Sequence, residues 1–80
     1  MYFVYIIECA DGSLYTGITT DVERRFREHG NGTGARYTRA HKPVRVAYAE
    51  VQSDRSAALV REAEIKRWRR EKKLALFSEV

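Results

Sequence analysis

One cysteine and one proline stand among the eighty residues of this chain. With Cys9 alone there is no internal disulfide and no cysteine-rich zinc site, which fits a reducing compartment. No apolar run approaches the roughly 18 residues of a membrane-spanning helix, so no membrane partner is expected. The first residues lack the basic-then-apolar order of a secretion signal, and the chain is expected in the cytoplasm. Missing too are a P-loop, an HExxH or DxD constellation and a Ser-His-Asp set. The few carboxylates make a two-metal site a poor fit.

Eighty residues make one small domain, 1–80, near the lower limit for folding without staples. The formal net charge of +4 points to a polyanion partner, most often nucleic acid.

Residues 2–9, YFVYIIEC, are β-branched and aromatic and read as a strand. Ala10-Asp11-Gly12 is turn chemistry, and 14–19 reads as the second strand of a hairpin. Thr20 with Glu23 three residues later forms a capping-box pattern, so a helix is expected from about Asp21 to Gly30. Gly32 and Gly34 should keep the following polar, basic loop mobile. Pro43 closes that loop, and 44–51 reads as a third strand. Ser53 or Asp54 can cap a second helix running to about Arg70. A helical tail, EKKLALFSE, should close the core with Leu74, Leu76 and Phe77. The expected fold is α+β: a small three-stranded antiparallel sheet in the order β-β-α-β-α-α, flanked by helices.

Hairpin register decides whether Tyr5 and Tyr15 cooperate. A two-residue turn at Asp11-Gly12 would send them to opposite faces. A three-residue loop with Gly12 left-handed sets Tyr5 opposite Gly17 and Tyr15 opposite Ile7, all on one face. Gly17 then leaves space beside Tyr5, where a ligand or backbone could come close. At about 100° per residue, Val22, Arg25, Phe26 and His29 share one arc of the first helix. An Arg on a packing arc calls for an anionic partner at the sheet face. On the second helix Ala58, Leu59, Ala63 and Ile65 define an apolar arc with Glu62 in its middle, while Glu64 points away. Glu62 can pair with Lys66 four residues on, or hold a Mg²⁺ ion, which takes one or two carboxylates plus waters and phosphates. Two phenols, a guanidinium, an imidazole and a lone carboxylate are expected to converge on one sheet face, with both helices on that side, and the combination suits metal-assisted phosphodiester cleavage.

Taken in order, these positions resemble a known pattern. VYI (4–6) and YTG (15–17), with Arg25 ten residues after Tyr15, His29 four later and ALVRE (58–62), are similar to the motifs of the GIY-YIG nuclease superfamily. GARYTR (34–39) and EIKRWRREKK (64–73) resemble its small stand-alone, YhbQ-like branch. The resemblance implies a divalent-metal-dependent nuclease hydrolysing DNA with little sequence specificity, in repair or recombination. In it Tyr5 would act as general base or orient the attacking water. Tyr15 would position the scissile phosphate, and Arg25 would stabilise its charge. His29 would bond a tyrosine or assist proton transfer. Glu62 would hold a single Mg²⁺ or Mn²⁺. Val4 and Thr16 replace a Gly and an Ile of the name motifs, and Ile18 stands where some members carry a Lys. Arg36, Tyr37, Arg39, Lys42 and Lys66 are the expected nucleic-acid contacts, as phosphate-binding cations with one aromatic for base stacking. The alternatives are a non-catalytic nucleic-acid-binding module working with a protein partner, and an RNA-directed nuclease.

Overall fold

The computed structural model describes residues 1–77. Its elements are β1 (Tyr2–Cys9), β2 (Leu14–Thr19), α1 (Val22–Gly30), α2 (Arg36–Ala40), β3 (Pro43–Gln52), α3 (Arg55–Lys66) and α4 (Arg70–Leu74). The three strands form one antiparallel sheet in the order β2-β1-β3. This is the expected α+β architecture with one added element, α2, inside the basic loop.

The central strand explains the rest. Val4, Tyr5, Ile6 and Ile7 are all buried, so β1 feeds a core on both faces of the sheet. Val4 and Ile6 meet Ala58 and Ile65 of α3 on one face, with Ile18, Trp68, Leu76 and Phe77 packed around them. On the other face Tyr5, Ile7 and Cys9 meet Tyr15 and the α1 residues Val22 and Phe26. The two long helices therefore cover opposite faces. β3 carries an irregularity where Ile6 pairs with Tyr48 but Ile7 with Val46, which leaves Ala47 as an extra residue.

The hairpin uses the odd-length loop. Gly12 has φ +84°, the Cys9 amide donates to the Ser13 carbonyl at 2.9 Å, and Tyr5 pairs with Gly17 and Ile7 with Tyr15. One helix start differs from expectation in detail and the other is as expected. Asp21, not Thr20, caps α1 by accepting from the Arg24 amide at 3.0 Å. Asp54 caps α3 in the same way through the Ala57 amide at 2.8 Å. α3 stops at Lys66, short of Arg70, and the chain re-enters a helix at α4. Leu76 and Phe77 close the core as expected, while Ser78 and Glu79 of the expected helical tail lie outside the described residues. The basic run between α3 and α4 is partly spent on packing: Lys72 sits over the Trp68 ring at 4.4 Å, and an Arg70 guanidinium donates to the Gly12 carbonyl.

Candidate active site

Alternation along two neighbouring strands puts Tyr5 and Tyr15 side by side, with ring centroids 6.4 Å apart. Tyr5 is 2% exposed and its ring lies across Gly17. A Cβ on Gly17 would stand 2.7 Å from Tyr5 Oη and 2.9 Å from its Cζ. The space expected beside Tyr5 is thus taken by the Tyr5 ring itself, and the glycine exists to admit it.

From α1 above, His29 reaches down to this pair. Its Nε2 lies 2.9 Å from Tyr5 Oη, and its ring meets Tyr15 edge-on at 5.1 Å. His29 is 1% exposed. Burial, and then the charge of nearby Arg25, lowers its pKa below the ordinary 6.5, so it is neutral at pH 7. Burial pushes the Tyr5 phenol up to about 12; Arg25 opposes the rise, while Tyr15 and Glu62 add to it. Arg25 sits within reach of Tyr5, but its ion pair is with Glu28 on its own helix at 2.9 Å. The anionic partner expected at the sheet face is therefore a neighbour one turn along α1, which raises the Arg25 pKa and lowers that of Glu28.

Glu62 arrives from the opposite side. α3 packs on the other face of the sheet, against β1 and the edge strand β2, so Glu62 and Lys66 approach the tyrosines around that edge. The group does not converge on one face, as the sequence suggested. The packed stripe of α3 is also narrower than expected: Ala58 and Ile65 are buried, but Leu59 and Ala63 are exposed. Glu62 stands at its rim with its side chain 18% exposed and its Oε2 3.3 Å from Lys66 Nζ. Lys66 Nζ in turn lies 6.0 Å from the Tyr15 ring centroid. Glu64 faces away and pairs with Arg61.

Residues 1–75 match the GIY-YIG catalytic domain. The chain belongs to the GIY-YIG family. It is 59% identical over 78 residues to a UPF0213 protein of Haloquadratum walsbyi, covering 98% of this chain and 88% of the relative. A UPF0213 protein of Staphylococcus saprophyticus is 50% identical over 78 residues, with 98% and 95% covered. The solution NMR structure of a UPF0213 protein from Bacillus halodurans, 45% identical, superposes with a TM-score of 0.59 over 95% of this chain and 82% of that one. These single-domain relatives agree with the stand-alone branch that the motifs resemble, and the GIY-YIG family is one of nucleases acting on DNA.

The GIY-YIG frame accounts for the departures from its name motifs. Val4 and Thr16 both point to the α3 face, away from the tyrosines, so neither alters the site. Ile18 packs into the same core. Thr16 carries a cost: its hydroxyl is buried and, among the described residues, is the one such side-chain atom without a partner.

The basic loop divides. Arg36, Arg39 and Lys42 are exposed, and Arg39 and Lys42 line an open cleft beside His29. Tyr37 is exposed but already has aromatic neighbours. His41 covers one of its faces at 4.2 Å and Tyr15 stacks with it at 5.8 Å. His41 Nδ1 is held 2.7 Å from Asp11 Oδ2, which ties α2 to the hairpin turn; bonds from Ser13, and then His41, hold the Asp11 carboxyl well below the usual range. Gly34 does not loosen the loop either. A Cβ there would stand 2.5 Å from His29 Nδ1, so the glycine lets the loop lie directly on the imidazole. Thr38, which sequence reasoning missed, is buried against the same ring, its Oγ1 2.6 Å from Nδ1. Only the short GARYTR stretch around it hinted at a packed element.

Among the described residues no group of three His, Cys, Asp or Glu side chains gathers to form an ion cage. A single carboxylate at the rim of the tyrosine pair fits a hard cation that keeps its waters and shares substrate phosphate.

Proposed function

We propose that the protein is a divalent-metal-dependent phosphodiesterase that hydrolyses DNA with little sequence preference. The observation that carries this reading is the buried Tyr5–His29 hydrogen bond beside Tyr15, with Arg25 and Glu62 at its margins. A pair used only for packing or for binding DNA would not need a neutral base behind a phenol. Nor would binding alone place Glu62 in the path of a polyanion, which speaks against the non-catalytic module.

At a pKa near 12 only about one Tyr5 in 10⁵ is ionised at pH 7, so a standing phenolate is not the base. Tyr5 orients the water instead. As the water oxygen attacks phosphorus, a water proton passes to Tyr5 Oη and the Tyr5 proton passes to His29 Nε2. The bond from phosphorus to the leaving oxygen breaks, that oxygen takes a proton from solvent, and His29 later releases its extra proton to solvent. Tyr15 and Lys66 hold the phosphate in place, and Arg25 balances the charge that builds on its oxygens. Glu62 would hold one Mg²⁺ or Mn²⁺, which supplies Lewis-acid stabilisation of that charge when bound. Arg36, Arg39 and Lys42 contact flanking phosphates, which position the strand without reading its sequence. Action in repair or recombination, in the cytoplasm, is the setting this chemistry suits.

The test compares two glutamates. Glu62→Gln removes the charge that attracts the cation, and cleavage in Mg²⁺ or Mn²⁺ should fall at least about 100-fold, the scale of losing one electrostatic stabiliser. Glu64→Gln, on the far side, should stay within about twofold. Single-stranded, duplex and branched DNA and RNA are tried in parallel, with EDTA as control. Equal activity of both variants would remove the metal from Glu62. Cleavage of RNA alone would replace the DNA reading, and binding without cleavage on any substrate would leave a binding module.

A further inference from the structure

We infer that Thr38 is a positioning residue that holds neutral His29 with its proton on Nδ1, so that Nε2 accepts from Tyr5 and the Tyr5 oxygen turns its lone pairs outward. The inference rests on the reading of Tyr5 as the group that orients water, and it adds what decides whether Tyr5 can do so.

The argument is a count of protons. Thr38 has one hydroxyl proton and two neighbours: the Ala35 carbonyl at 2.9 Å and His29 Nδ1 at 2.6 Å. The carbonyl can only accept, so it takes the Thr38 proton. Thr38 Oγ1 is then an acceptor, and Nδ1 must be the donor to it. With its one proton on Nδ1, neutral His29 offers a lone pair at Nε2, and the 2.9 Å contact is Tyr5 O–H donating to His29. The Ala35 amide also faces Nδ1, at 3.4 Å, and favours the other tautomer. That tautomer would give up the Thr38–Ala35 bond and leave the Tyr5 proton aimed away from His29 without a partner. It keeps the Tyr5 and Thr38 contacts with His29 reversed in direction, and exchanges the 2.9 Å Thr38–Ala35 bond for one at the limit of range while the Tyr5 proton goes unpaired. Because Thr38 is 2% and His29 1% exposed, water cannot reorganise the network cheaply.

The functional meaning lies in the direction of one hydrogen bond. With Nδ1–H, Tyr5 Oη donates its proton to His29 and keeps its lone pairs for an incoming donor, as a group taking a water proton must. With Nε2–H, the Tyr5 oxygen accepts from His29 and its own proton has no base to pass to, so it cannot relay a water proton inward. Thr38 thus reaches the reaction through His29 without touching substrate.

Histidine ring ¹⁵N spectra test this on the protein without DNA or metal, with His41→Gln used to assign the second ring. Wild type is expected to show a protonated Nδ1 and an unprotonated Nε2 on His29. Thr38→Val keeps the shape and removes the hydroxyl; it should move the tautomer ratio toward Nε2–H by at least about fivefold, the worth of one hydrogen bond. Thr38→Ser should restore it. In cleavage, Thr38→Val should lower kcat with KM held, and Ser should rescue. A protonated Nε2 in wild type overturns the inference, even where Thr38→Val does not fold. An unchanged ratio in a folded Thr38→Val overturns it as well. The spectra do not depend on turnover, so the expected tautomer in a protein that cleaves nothing would sink the nuclease reading and leave the Thr38 assignment standing.

Discussion

Gly17→Ala adds one methyl group at the tightest point of the site. The new Cβ would lie 2.7 Å from Tyr5 Oη and 2.9 Å from Cζ, where unstrained contacts begin near 3.4 Å. The phenol must therefore retreat by about 0.7 Å, the difference between 3.4 and 2.7 Å. Tyr5 is buried and its ring is packed on Gly17, so this is overpacking, which costs about 1–3 kcal/mol. Lengthening the Tyr5–His29 bond adds about 1 kcal/mol. The lower chain entropy of Ala in the unfolded state returns about 0.4–1 kcal/mol. A net loss of about 1–4 kcal/mol should lower Tm by about 5–30 °C for a domain this small. Two further readings separate strain from general damage. Ultraviolet titration should show Tyr5 leaving its value near 12 as it shifts, and cleavage should fall further than the folded fraction does. Adding Tyr5→Phe to Gly17→Ala removes the 2.7 Å contact, so the double variant should be more stable than the sum of the two singles by about 1 kcal/mol. A G17A protein within about 0.5 kcal/mol of wild type, with an unchanged phenol titration, would refute the claim that this glycine exists to admit Tyr5.

Stability should depend on pH through the same pair. The unfolded His29 binds a proton at its ordinary 6.5 and the folded one only at lower pH, so stability is full above 6.5 and is lost as pH falls through the folded value; chemical denaturation between pH 8 and 5, flattened in His29→Asn, checks this. Tyr5 adds stability below pH 10 that is lost as pH rises toward 12, and Tyr5→Phe should remove that alkaline slope. DNA affinity should fall steeply with salt, and replacing Arg36 and Arg39 with Ala should reduce the log–log slope by about 2, as measured by fluorescence anisotropy. Thr16→Val should stabilise the protein by about 1 kcal/mol in thermal melts, because it replaces an unpaired buried hydroxyl with a methyl of similar shape.

The hairpin half of the site was legible because two local rules agree there. Alternation assigns the faces, and a three-residue loop ending in Gly12 sets the register, so the Tyr5, Tyr15 and Gly17 neighbourhood follows from adjacent residues. The side of the sheet taken by each helix was not legible. A helical arc says which residues face a sheet and nothing about which face that is, so α3 was expected beside α1 and lies opposite it. α2 was invisible for another reason. RYTRA has no apolar period and Ala35 provides no side-chain cap, so the turn is held by what it touches, through Thr38 on His29 and Tyr37 between Tyr15 and His41. Arg25 was placed on the correct arc, but its partner came from its own helix, where Glu28 three residues on is nearer than any sheet carboxylate.

β2 is an edge strand, hydrogen-bonded to β1 alone, yet it carries Tyr15 and Gly17 and is the rim around which Glu62 approaches. Edge strands open locally before a domain unfolds as a whole. Its amides should therefore exchange with solvent deuterium faster than those at the centre of β1, where Val4 through Ile7 are sealed on both sides. Each such opening takes Tyr15 away from Tyr5 and from the α3 carboxylate, which stays with β1. Warming should accordingly silence the protein several degrees before its circular dichroism changes, with the sheet centre still intact and the site already dispersed.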